Sequence, residues 1–125
     1  MGTRSRIGIQ LKDNSVLSVY CHYDGYPAFN GRVLRDHFDT PEKVKDLIDG
    51  GDMSCTWTNA GWNNETLESN APRYDESIFD FLDKKNNEEY AYIWTVNSEW
   101  VAFKMNEFED DKQPEKVEIP TGPVA

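Results

Sequence analysis

Cys21, His22, His37 and Cys55 are the only thiols and imidazoles in the chain. Any chemistry that needs a soft metal ligand, a thiolate nucleophile or an imidazole base must therefore use them. A structural zinc site places four such groups at the corners of a tetrahedron, usually with two of them in a Cys-x-x-Cys element. No such element is present. Cys21 and His22 are adjacent in a stretch that reads as a strand, where neighbouring side chains leave on opposite faces, so the two are badly placed to share an ion. Neither a metal nor a cofactor is expected. A Cys21–His37 dyad is geometrically conceivable, but a thiol buried in apolar surroundings is inert. The better reading makes Cys21 a small buried apolar residue and His37 a satisfied helix histidine beside Val33. Gly-x-Ser-x-Gly, a phosphate-binding glycine loop and His-Glu-x-x-His are all missing. Carboxylates are plentiful, yet no spacing marks two of them as an acid–base pair. No catalytic residue is assigned, and binding is favoured over catalysis.

The binding candidates fall in three places. The loop from Tyr23 to Asn30 sets Tyr23, Asp24, Tyr26 and Asn30 next to Arg32: aromatic walls with one carboxylate and one guanidinium, a set suited to a small polar ligand or a peptide. Tyr20 and His22 lie on the strand face away from Ile7, Ile9 and Leu17. There, exposed rings could stack on a base or anchor a partner, and buried ones would cover a second core layer or a homodimer interface. Trp57 and Trp62 flank a glycine-containing loop and would be interface anchors if exposed.

These residues must be held by local structure that the sequence spells out unevenly. Residues 6–12 and 16–23 alternate apolar and polar, and Asp13-Asn14-Ser15 between them is turn chemistry, so a β-hairpin is expected. Asp24-Gly25-Tyr26-Pro27 breaks the pattern. Asn30 reads as the cap of a short helix to about Phe38, with Val33, Leu34, His37 and Phe38 at helical spacing. Thr40 as N-cap and Pro41 at the first helical position open a second helix whose stripe is Val44, Leu47 and Ile48; Gly50-Gly51 ends it. Signals weaken over residues 52–74, where residues 55–58 offer a short strand. A third helix is expected from about Glu76 to Lys85, capped by Asp75. A second hairpin follows, residues 89–95 and 99–104 around Asn97-Ser98, with Tyr90, Tyr92 and Trp94 on one face. The fold expected is α+β: an antiparallel sheet of two hairpins packed with two to three short helices. One domain is expected over residues 1–107, and a flexible acidic tail over 108–125, where too little apolar area is available to offset ordering entropy.

Composition narrows the function classes. A chain of 125 residues suits one domain. Hydrophobic residues are 38% and aromatics 13%, which with a mean hydropathy of −0.76 points to a small, aromatic-rich core. No apolar stretch approaches the roughly 18 residues of a membrane span, and Met-Gly-Thr-Arg-Ser-Arg is followed by no apolar run, so neither an anchor nor a signal peptide is expected. Two cysteines suit reduced thiols in a cytoplasm. The formal charge of −10 is one-sided: residues 1–50 carry seven basic and seven acidic side chains, and residues 51–125 carry six and sixteen. Such a charge repels phosphate backbones, so direct nucleic-acid binding is not expected; it serves solubility or a partner with a basic face.

Thr3-Arg4-Ser5-Arg6-Ile7-Gly8-Ile9, Val19 to Pro27 (Val-Tyr-Cys-His-Tyr-Asp-Gly-Tyr-Pro), Asn30-Gly31-Arg32-Val33-Leu34 and Thr40-Pro41-Glu42-Lys43-Val44 together resemble a group of small bacteriophage proteins with a Tyr-Cys-His-Trp-Asp-Gly-Tyr-Pro-like signature. Tyr23 stands at the Trp position, and the likeness covers about residues 3–51. It implies a phage origin and action inside a bacterium, and it carries no catalytic residue across. The favoured expectation is a non-enzymatic protein in the host cytoplasm that binds and modulates a host bacterial protein, in host takeover or anti-defence. The alternative is a sequestering protein for a small nucleotide signal, and a nucleotide hydrolase stands third.

Overall fold

The computed structural model describes residues 4–21, 25–49, 73–82, 88–105 and 114–120. The first hairpin forms as its alternation dictates, with β1 (Ser5–Gln10) antiparallel to β2 (Val16–Cys21) and Ile7 opposite Val19. Its turn is closed by Asp13, whose carboxylate accepts from the Ser15 backbone N–H at 3.0 Å and from the Ser15 hydroxyl. Asn14 takes φ 70, a left-handed conformation that asparagine tolerates better than most residues. The Ser15 bonds hold the Asp13 carboxyl below its ordinary value.

A π-helical turn, Pro27–Gly31, runs directly into α1 (Arg32–His37). Asn30 is thus inside the helical run and not its cap; the residue before α1 is Gly31, with no side-chain cap bond. His37 is exposed while Val33 and Leu34 are buried. Phe38 packs against the core, and the expected packing of the His37 imidazole there does not occur. α2 (Pro41–Asp49) starts as expected: Thr40 Oγ1 accepts from the Lys43 N–H at 3.2 Å, and Val44, Leu47 and Ile48 are buried.

The sheet departs from two antiparallel hairpins. Among the described residues it is mixed and has six strands, in the order β3 (Arg73–Asp75), β2, β1, β4 (Tyr90–Trp94), β5 (Trp100–Lys104) and β6 (Glu115–Val117). β4 (Tyr90–Trp94) lies parallel to β1, with Ile7 beside Tyr92 and Ile9 beside Trp94, and is antiparallel to β5 (Trp100–Lys104). Two strands lay outside expectation. β3 (Arg73–Asp75) pairs with β2, which makes Asp75 a strand residue and leaves Ser77 to cap α3 (Ile78–Phe81) through the Asp80 N–H. β6 (Glu115–Val117) pairs with β5. A flexible tail beginning at 108 is therefore incorrect for residues 114–120, because Val117 and Ile119 pack against the core and lend that short charged segment the apolar area its composition hides.

Both faces of the sheet are covered. On one, Ile7, Val19, Cys21, Tyr92, Trp94 and Ala102 meet Leu34, Val44, Leu47 and Ile48 of the helices. On the other, Val16, Ala91 and Ile93 meet Phe81 and Met105. The face carrying Tyr90, Tyr92 and Trp94 is thus core, not a free aromatic platform: Tyr92 is fully buried and Trp94 is 5% exposed. Gly8 sits on the Phe81 side, where a Cβ would lie 2.8 Å from Val16 Cγ1 and 3.1 Å from the Phe81 ring.

Candidate binding groove

Of the residues singled out from the sequence, Tyr20, Tyr26, Asn30 and Arg32 lie among the described residues. Tyr20 is half-buried on β2, on the face it shares with Ser18 and Arg6, where the Arg6 Nε–H donates to the Ser18 hydroxyl at 2.8 Å. Tyr26 is exposed, with its ring centroid 6.5 Å from that of Phe29. Asn30 turns inward: fully buried, it donates from Nδ2 to the Ser5 hydroxyl at 3.0 Å, and its Oδ1 has no partner. Arg32 turns away from Asn30 and donates from Nε to the Pro120 carbonyl at 3.4 Å. His22, Tyr23, Asp24, Trp57 and Trp62 lie outside the described residues.

What ties the signature loop to the core is Tyr92. Its hydroxyl donates to the Gly25 carbonyl at 2.6 Å in a buried site, and burial raises its pKa, so it remains a donor at any ordinary pH. Tyr92→Phe keeps the ring packing and leaves that carbonyl without its donor. The expected cost is about 1–2 kcal/mol, read as a lower midpoint in urea denaturation with an unchanged slope.

A concave feature among the described residues lies elsewhere, between α1, β5 and the chain from Lys116 to Ile119. It is an open groove of about 630 Å³. Trp94 and Trp100 form one wall; they are direct cross-strand partners with ring centroids 5.5 Å apart in an edge-on arrangement, worth about 0.5–1.5 kcal/mol beyond the area they bury. The Trp100 indole N–H donates to the Phe38 carbonyl at 2.8 Å, which fixes the ring and meets a carbonyl at the end of α1 that the helix leaves unsatisfied. The opposite wall is Val117 and Ile119. Contacts from distant parts of the chain hold that wall: Val117 pairs with Ala102, Ile119 lies against Gly31 so closely that a Cβ there would meet it at 3.1 Å, and the Pro120 carbonyl accepts from Arg35 Nη1 at 2.6 Å and from Arg32 Nε at 3.4 Å. A smaller cavity of about 240 Å³ adjoins and shares Trp94 and Ser98.

The charged residues of the lining are Arg35, Lys116, Asp39, Glu99 and Glu118. Arg35 is engaged locally, donating from Nε to Asp36 Oδ1 at 2.9 Å; that bond lowers the Asp36 carboxyl and raises the guanidinium. Among the described residues lining the groove there is no thiol or imidazole. Cys21 is buried in the core and His37 is exposed, so the structure does not bring that pair together as a dyad. Among the described residues no group of three or more His, Cys, Asp or Glu side chains is arranged to hold a metal, and no helix is long and apolar enough to cross a membrane.

Comparison with protein-family models, with curated proteins and with solved structures gives no match in any of the three. The groove must be read on its own geometry. Sequence reasoning missed it because Lys116 to Ile119 looked too polar to be ordered. The available signal was the alternation of Val117 and Ile119 after the break at Pro114.

Proposed function

We propose that this chain is a non-catalytic binding protein of bacteriophage origin that engages and modulates a host bacterial protein in the host cytoplasm. The groove between the Trp94–Trp100 pair and the Val117–Ile119 segment carries the reading. It is an apolar trough with one aromatic wall and a polar rim, the anatomy of a surface that receives a partner's anchoring side chains. The phage-like signature of residues 3–51 supports the setting, a bacterial cytoplasm. Sequestration of a nucleotide is the weaker reading, since three carboxylates at the rim repel phosphate and Arg32 points at Pro120.

The test is a tagged chain expressed in the host bacterium, compared with Asp39→Trp, which narrows the groove from an exposed position next to Phe38. A host protein should be retained at stoichiometric level by the parent chain and lost from the variant, with the melting temperature unchanged within error. Retention of the same protein by Asp39→Trp, or no stoichiometric partner at all, would sink the assignment.

A further inference from the structure

We infer that two copies of this chain pair edge to edge through β6, antiparallel about a two-fold axis at Val117, with Lys116 of each copy directly opposite Glu118 of the other. The pairing does not require a host protein in the groove. Among the described residues, no strand lies on the outer side of β6. The ladder shows which backbone groups face that side. The Thr95 and Met105 N–H groups donate to the Glu99 and Glu89 carbonyls, so the odd-numbered residues of β5 turn their backbone polar groups toward β4 and the even-numbered ones toward β6. Val117 and Glu115 are registered with Ala102 and Lys104 and therefore face β5. Lys116 between them turns its N–H and C=O outward. Glu118 does the same, because Ile119 packs on the Val117 side of the sheet and the alternation carries on past β6. When two such edges pair antiparallel, outward-facing residues must meet outward-facing residues. Charge then selects the register. Lys116 and Glu118 have exposed side chains on the face they share with Phe103. Opposite charges directly across a ladder stabilise it, and like charges oppose it. Lys116 across from Lys116, or Glu118 across from Glu118, is unfavourable; Lys116 across from Glu118 is favourable and occurs twice by symmetry. That register sets Val117 against Val117 on the other face, which continues the apolar strip of Ala102 and Val117 across the axis. Pro114 and Pro120 bracket the segment. Neither has an N–H to give, and the Pro120 carbonyl is turned to Arg35 and Arg32. The ladder is therefore short, and the contact, using the same edge on both copies, closes at a dimer.

The full chain is followed by sedimentation velocity over micromolar to millimolar concentrations at physiological salt. The parent should move toward twice its 14.4 kDa as concentration rises. Lys116→Glu sets glutamate against glutamate, and Glu118→Lys sets lysine against lysine. Each variant alone should dimerise at least about tenfold more weakly than the parent. Mixed in equal amounts, the two should pair with each other about as tightly as the parent pairs with itself. The double variant, Lys116→Glu with Glu118→Lys, restores the complement within one chain and keeps the formal charge of −10; it should dimerise like the parent. Both side chains are exposed, so all three variants should keep the parent's melting temperature. A parent that stays monomeric throughout would overturn the inference. Dimers that persist unweakened in both single variants would place the contact on another surface and overturn it too. A double variant that stays monomeric, while the two single variants associate on mixing, would overturn the register.

Discussion

Trp100→Ala is expected to lower stability by about 3 kcal/mol and to abolish partner binding together. Truncating a large ring in a packed setting costs about 3–5 kcal/mol, and Trp100 is half-buried, which puts the estimate at the low end. Three losses coincide: the edge-on contact with Trp94, the bond to the Phe38 carbonyl, and the groove wall itself. Trp100→Phe separates them. It keeps an aromatic wall and loses the indole donor, so it should cost about 1–2 kcal/mol while retaining part of the binding. Urea denaturation read by circular dichroism gives the first quantity and capture of the host protein on the tagged chain the second. Both variants keeping full affinity would move the binding surface away from the groove.

Gly8→Val is the other large effect, and it acts on the fold alone. β1 lies between β2 and β4, so its backbone has little room to move aside. The new Cβ would sit 2.8 Å from Val16 Cγ1 and within 3.3 Å of two Phe81 ring atoms before its methyl groups are counted. Overpacking costs typically about 1–3 kcal/mol and sometimes more; with two further methyls the expected loss is about 3 kcal/mol. Gly8→Ala adds that Cβ alone and should cost less, and combining it with Val16→Ala, which removes the 2.8 Å contact, should recover part of the remaining loss while the Phe81 ring still has to shift slightly. Denaturation midpoints of the three variants decide the matter. A Gly8→Val chain as stable as the parent would mean that Phe81 does not pack over the centre of the sheet.

Legibility of the fold followed the kind of information each element carries. The first hairpin and α2 could be read because their signals are local: strict alternation around Asp13-Asn14-Ser15, and Thr40-Pro41 opening a stripe of Val44, Leu47 and Ile48. The parallel pairing of β1 with β4 could not, because alternation says which side chains share a face and nothing about which strand lies alongside. α3 was overextended because Ile78, Phe79, Phe81 and Leu82 have helical spacing, yet Phe79 is 88% exposed and only Phe81 is deeply buried. The groove was hidden for a related reason. Tyr92 and Trp94 were recognised as a face, but the wall opposite Trp100 comes from Val117 and Ile119, two apolar residues set among glutamates and a lysine. Their order depends on contacts with Ala102, Gly31 and the Arg35 side chain, far away in sequence. Asn30 was noticed for the right chemistry in the wrong direction, since its amide serves Ser5 inside the protein.

The order of strands across the sheet also sets an order in time. β1 and β2 can pair as soon as the ribosome has released the first hairpin, but the other flank of β1 waits for Tyr90–Trp94, more than eighty residues further along. At synthesis rates of about 5–20 residues per second, that flank stays open for several seconds, an unsatisfied strand edge of the kind that recruits other chains. Only then can Ile7 and Tyr92 meet, and the Lys116–Ile119 wall comes later still. Closing so long a loop before its contacts repay the entropy slows folding. The groove is therefore among the last parts of the protein to exist, and a partner that recognises it will find only chains whose sheet is already complete.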